Sequence, residues 1–226
     1  MRIRLWLLVA SAGIAALAQT AQTPYVTASG SATITVQPDQ AQITISVVTQ
    51  ATTAQAATTQ NASQVQAVLS ALTPIVGSNG TIVTVGYSVT PNYTYPQNQA
   101  AVLTGYTVTN TVLVTTSDLN SVGKLIDAAV AAGANSIQSL QFGLKNDQPE
   151  QAQALQQAAA QAQTLAGAIA QGLGLHTVRV ISAQEGSANT VLQVSRLTAG
   201  APATTPVQPG PVQVQASVTV TMEVSQ

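Results

Sequence analysis

The sequence predicts an α+β protein, with mainly antiparallel sheet covered by about three helices in the order ββαββαβαββ. Three observations predict it. Apolar residues recur at period two in stretches separated by Pro, Gly, Asp and Asn. In three other stretches the spacing changes to three and four. The connections between successive strands are too short for the crossovers that parallel pairing needs, so hairpins are expected.

The elements follow in order. Val26, Ala28, Ala32, Ile34 and Val36 share one parity, and Ala41, Ile43, Ile45 and Val47 repeat it after Gln37-Pro38-Asp39-Gln40. This reads as a β-hairpin with Pro and Asp in its turn. Over residues 53–72, Ala54, Ala57, Asn61, Val65, Val68 and Leu72 form one helical face, and Pro74 and Gly77 are expected to stop the helix. Strands at 82–89 and 105–115 follow, joined by a loop over 90–96 whose two prolines keep it out of any central strand. Ser117 or Asp118 can cap a second helix with Leu119, Val122, Ile126 and Ala129 inside, ending at Gly133.

A strand at 137–144 leads to the longest helix, which opens on Asp147-Gln148-Pro149-Glu150. Its expected inner face is Ala152, Leu155, Ala159, Ala162, Leu165, Ile169 and Leu173, and Gly172 and Gly174 end it. After a strand at 177–183, residues 186–211 are rich in Ala, Thr, Pro and Gly and read as a flexible loop. The last strand, 212–225, alternates Val, Ala and Met with Gln, Ser, Thr and Glu. The ββα unit occurs twice in succession, as two similar half-domains would.

Ahead of these elements, Arg2 and Arg4 precede an apolar run over 5–17 that closes on Ala16-Leu17-Ala18. Positive flank, short apolar core and small-x-small exit describe a secretory signal peptide, with residues 1–18 removed and residues 19–226 forming the mature domain. The run is shorter than the roughly 20 residues a spanning helix needs, and no transmembrane segment is expected in the mature chain. There is no Cys, which excludes disulfides, thiolate metal sites and a lipid-modified N-terminal Cys. Loss of residues 1–18 leaves Lys124, Lys145, Arg179 and Arg196 against seven acidic side chains, a balance that excludes nucleic-acid binding by charge.

Several of these stretches, in this order, resemble the SIMPL-domain family of YggE-like periplasmic proteins. The likeness lies in residues 26–36 followed by Pro38-Asp39, in Pro91-x-Tyr93-x-Tyr95, and in Gly105-Tyr106 with Asn110. It continues through Val122-Gly123-Lys124-Leu125-Ile126-Asp127, the alanines up to Gly133-Ala134-Asn135, Phe142-Gly143-Leu144, the Ala-rich helix and Pro209-Gly210. The resemblance implies an exported, often oligomeric envelope protein, in some members associated with oxidative or envelope stress, and it implies no established catalytic residues. The long helix departs from the family pattern in carrying Gln and Ala where relatives commonly have Lys, Arg and Glu.

Catalysis by general acid and base or by an activated nucleophile needs titratable groups that converge. Here His176 is the sole histidine, no Gly-x-Ser-x-Gly elbow accompanies it, and no two carboxylates share a spacing that joins them on one face. Gly167, Gly172 and Gly174 interrupt and end a helix and do not form a phosphate loop. No catalytic residue, metal ligand or cofactor is therefore expected. Asn61 and Asn110 each interrupt an apolar row and are expected to be buried and hydrogen-bonded, with a ligand contact as the alternative. Tyr87, Tyr93, Tyr95 and Tyr106 gather around one hairpin, either packing it or forming a binding or interface patch. The expected function is that of a non-enzymatic envelope protein with a stress-protective role, acting by self-association as a homo-oligomer and by contact with unidentified envelope components. A small-ligand module built on the tyrosine hairpin and an enzyme of unknown class are the alternatives.

Overall fold

In the computed structural model of the chain, residues 23–186, 189–192 and 205–226 are described. The N-terminal segment 1–18 and much of the 186–211 stretch lie outside them. The described residues form two antiparallel sheets and three α-helices. One sheet holds β1 (Tyr25–Val36), β8 (Val212–Ser225), β6 (His176–Glu185) and the short β7 (Asn189–Leu192), in the order β1-β8-β6 with β7 also on β8. The other has the order β3-β4-β2-β5, built from β2 (Gln40–Ala51), β3 (Gly80–Thr94), β4 (Val102–Thr116) and β5 (Ser136–Gly143).

The expected hairpin between β1 and β2 is not formed. β1 pairs with β8 over twelve consecutive positions, from Tyr25 opposite Glu223 to Val36 opposite Val212, while β2 lies between β4 and β5. Pro38 is buried, and Asp39 extends the pairing of β2 with the end of β5 instead of closing a hairpin turn. Its N–H donates to the Gly143 carbonyl at 3.0 Å, and its Oδ1 accepts from the Lys145 N–H at 2.7 Å. Alternation establishes which face of a strand is buried but not which strand lies beside it. The division between the two layers therefore does not fall between the two successive ββα stretches.

Helix α1 (Ala54–Val76) lies on the β2-β4 side of its sheet. Its N-cap Thr53 accepts from the Ala56 N–H at 3.2 Å, and Ala57, Asn61, Val65, Val68 and Leu72 are buried as the spacing predicts. Pro74 does not stop it. Within the last turn a proline forfeits only one intrahelical hydrogen bond, and the helix runs on to Gly77, whose φ of 51° ends it. Helix α2 (Val122–Ala131), entered through a 3-10 turn that Asp118 caps, packs beside α1. Between these helices and their sheet, Ile43, Ile45, Leu72, Val114 and Leu125 form the larger core.

Helix α3 (Gln148–Gly172) covers the other sheet, and its buried face shares Ala162 with the expected one but is otherwise rotated from it. Ala154, Ala158, Ala162, Ala166 and Ala170 are buried, at a strict spacing of four. Leu165, Ile169 and Leu173 are exposed, Leu173 by 66%. The cause is close approach. A Cβ placed on Gly30 of β1 would lie 2.2 Å from the Ala158 carbonyl oxygen and 2.5 Å from the Ala162 nitrogen, so helix and strand meet with only methyl groups between them. Leu165, Ile169 and Leu173 are thereby turned outward, while Leu155 packs half-buried at the margin of the core.

Within the stretch expected to be a loop, β7 pairs with β8 from Asn189 opposite Gln215 to Leu192 opposite Val212. Residues 205–211 then cross α2 before β8 begins. Asp127 accepts from the Thr205 N–H at 3.1 Å, Val207 joins the larger core, and Gly123 admits the Thr205 carbonyl where a Cβ would lie 2.4 Å from it.

Candidate functional site

The β3-β4 hairpin is the element on which the sequence places most of its candidate residues. Its register sets Tyr87 opposite Asn110, Pro91 opposite Tyr106 and Tyr93 opposite Leu103. β2 ends at Ala51, opposite Tyr106, so beyond that pair the two strands continue without a third. Gly105, with φ of 157°, lets the arm leave the sheet there; a Cβ on it would lie 2.6 Å from the Ala51 carbonyl oxygen. Asn92 ties the arm together: its Nδ2 lies 2.8 Å from Thr107 Oγ1, and its carbonyl accepts from Thr104 Oγ1 at 3.0 Å.

The four tyrosines are not gathered into a pocket. Tyr106 is half-buried at the root of the arm, Tyr87 is exposed on the β3 edge, and Tyr93 and Tyr95 stand at the tip. The clefts nearby have other walls. An open groove of about 710 Å³ along α1 is lined by Thr53, Gln55, Thr59, Gln60, Ser63 and Gln64, and a smaller one of about 250 Å³ lies where residues 205–209 cross the start of α2. Ligand pockets are concave and mostly apolar with a few converging polar groups. The tyrosine arm is convex.

Asn61 is fully buried on α1, and its Nδ2 donates to the carbonyls of Val47 at 2.9 Å and Val108 at 3.4 Å. One amide thus fastens helix α1 to two adjacent strands. Asn110 is half-buried across from Val47, and its Oδ1 has no partner in the protein. Asn61 thus donates to the carbonyl of Val47, the residue opposite Asn110, and not to Asn110 itself.

Asn135 does comparable work that sequence reasoning did not assign. Its Oδ1 accepts from the Val48 N–H at 2.9 Å, and its Nδ2 donates to the Val48 carbonyl at 2.7 Å, so the side chain continues the pairing of β2 just before β5 begins. An Asn two residues after a helix-ending glycine was the available signal.

His176 opens β6 and is exposed. Among the described residues, no three His, Asp or Glu side chains gather as a metal ion would require. Arg179 and Glu223 form a cross-strand ion pair, Nε to Oε2 at 2.6 Å, with the guanidinium largely in solvent. Exposed pairs of this kind contribute about 0–1 kcal/mol.

These features define a two-sheet α+β protein that offers extended edges and a projecting arm. The chain belongs to the SIMPL family, described as a protein of unknown function (DUF541), which it matches over residues 26–222. It is 32% identical over 182 residues to the 26 kDa periplasmic immunogenic protein of Brucella melitensis, covering 74% of this chain and 72% of that protein. It is 31% identical over 189 residues to the uncharacterized protein YggE of Escherichia coli K12, covering 79% and 76%. A third relative, the uncharacterized YggE of Edwardsiella ictaluri, is 31% identical over 170 residues, covering 72% and 70%. The compartment is that of the relatives named for it, the bacterial envelope outside the cytoplasm. No helix among the described residues is long and apolar enough to cross a membrane.

Proposed function

We propose that this chain is a non-enzymatic envelope protein that acts by self-association and by contact with other envelope components, in a stress-protective role. The observation that carries the reading is the edge strand β1. It runs for twelve residues with no charged side chain and no register shift against β8, and no described strand pairs with its outer edge. Soluble proteins commonly blunt such edges with Lys, inward charges, prolines or bulges. β3, the other long edge, has two register shifts and Pro91. β1 has neither, although its Ser31 N–H donates to Gln161 Oε1 of α3 at 2.7 Å. An edge of this length with no strand partner among the described residues favours pairing within a closed assembly.

Light scattering coupled to size exclusion tests the proposal. A stable oligomer is expected, and a charge placed at the edge, such as Thr33→Lys, is expected to lower its mass. A concentration-independent monomer would overturn self-association.

Export by a removed signal peptide belongs to the same proposal and rests on Arg2, Arg4 and the Ala16-Leu17-Ala18 exit. Intact mass of protein recovered from the periplasm is expected to correspond to a start near Gln19, without Trp6. Retention of residues 1–18 would make that segment an anchor.

A further inference from the structure

We propose that the tip of the β3-β4 arm inserts into the headgroup region of a phospholipid bilayer; this names one of the envelope components invoked above and so rests on that reading. The first ground is charge. From Gln40 to Ser117 the chain contains no Asp, Glu, Lys or Arg, so β2, α1, β3 and β4 form an uncharged part of the molecule, and the arm is its outermost piece. Bringing a charged group to a bilayer boundary carries a desolvation cost, and none is incurred here.

The second ground is what the tip exposes. Tyr93 is 50% exposed, Tyr95 77%, Val102 50% and Leu103 45%. Tyrosine, with an apolar ring and a polar hydroxyl, suits the boundary between headgroups and acyl chains, where it is enriched. The turn between them holds Gln97, Asn98 and Gln99, neutral amides able to bond with headgroups. Asn98 takes φ of 61° there, and the Gln99 N–H closes on the Pro96 carbonyl at 3.2 Å, so the tip is an ordered turn.

The third ground is reach. The strands run past the last β2-β4 pair, Ala51 with Tyr106, as far as the pair Thr94 with Val102. Four residues of β4 at about 3.3 Å each extend roughly 13 Å, comparable with the ~5–10 Å that interfacial segments bury.

A second copy of the chain fits the tip less well. Four partly exposed side chains offer a few hundred Å² at most, below the ~800 Å² per partner of a stable protein interface. Nor can a convex tip enclose a small ligand.

Flotation of the periplasm-recovered protein with phosphatidylcholine vesicles tests this, alone and with phosphatidylglycerol added. Binding is expected to both, unweakened by salt at ~1 M, because no charge attracts the tip. The double variant Tyr95→Asp with Leu103→Asp is expected to lose about tenfold or more in partitioning, since two apolar side chains are replaced by charges. Ile169→Asp with Leu173→Asp, which charges exposed apolar positions on α3, is expected to float as the parent does. Because Trp6 is the sole tryptophan and is lost with residues 1–18, Tyr95→Trp gives the mature chain a single tryptophan whose emission should shift to the blue on vesicles. Absence of flotation and of the spectral shift, with the oligomer mass intact, would overturn lipid contact and leave self-association standing. A tip variant that lowers the oligomer mass would make the tip a contact between copies and overturn the assignment. Equal loss in the α3 variant would overturn it too.

Discussion

Replacing Gly30 by Ala is expected to destabilise the protein by about 3 kcal/mol or more. A single methyl would ordinarily be harmless in a strand, where Gly is the poorer residue. At this position the Cβ would lie 2.2 Å from the Ala158 oxygen, 2.5 Å from the Ala162 nitrogen and 3.1 Å from the Ala162 Cα. All three are backbone atoms of α3, so no rotamer change relieves the clash. The helix would have to lift away from β1 and β8, loosening the contacts of Ala158, Ala162, Val218 and Val220 that form the core beneath it. Gly167 supplies the contrast. It lies in the same helix with nothing within 4 Å of an added Cβ, so Gly167→Ala is expected to stabilise by about 0.5–1 kcal/mol through helix propensity. Urea denaturation of the three proteins at one fixed concentration reads both effects. An unchanged midpoint for Gly30→Ala would refute the close approach.

The same contact explains why part of the fold was legible in the sequence and part was not. The strands and helices could be read because burial imposes a period on each, and on α1 that period also identified the inner face down to Leu72. On α3 it misled. The leucines and Ile169 recur at helical spacing, yet the strand beneath offers a glycine, and the surface with the smaller side chains is the one that fits. Ala at every fourth position together with a glycine in a facing strand was the readable signal, but it required knowing which strand faced the helix. That knowledge was also missing at Pro38-Asp39, where a short polar connection looked like a hairpin turn. β1 and β8 lie at opposite ends of the domain in sequence, and twelve matched positions between them outweigh local proximity. Such matching is a property of the pair and leaves no mark on either strand alone. For the candidate site, residue types were legible and geometry was not. Four tyrosines marked one hairpin, but residues 90–96 read as a loop, whereas β3 runs through Pro91 to Thr94 and projects with β4 beyond the end of β2.

Asn61→Leu is expected to destabilise by on the order of 1–3 kcal/mol, although leucine has a similar volume and greater hydrophobicity. The amide is fully buried, and its Nδ2 serves the carbonyls of both Val47 and Val108, one on each of two neighbouring strands. A leucine would leave both without that donor in a region closed to water by Ala57, Val65 and the sheet. It would also remove one of the polar attachments of α1 to the β2-β4 pair, leaving the donation from Thr49 Oγ1 to the Ala57 carbonyl at 2.9 Å and the apolar contacts to set the helix position along the strands. Asn110 behaves differently. Both asparagines hold an Oδ1 out of solvent with no protein partner, but only Asn61 also donates to two strand carbonyls, so Asn110→Leu is expected to change stability by less than Asn61→Leu does. Denaturant midpoints for the two single variants and the double variant separate the cases. If the asparagines act independently, the double variant should equal the sum of the singles, whereas a coupling beyond about 0.5 kcal/mol would show that they share a hydrogen-bond network. A neutral Asn61→Leu would refute the amide's role as the fastening between helix and sheet.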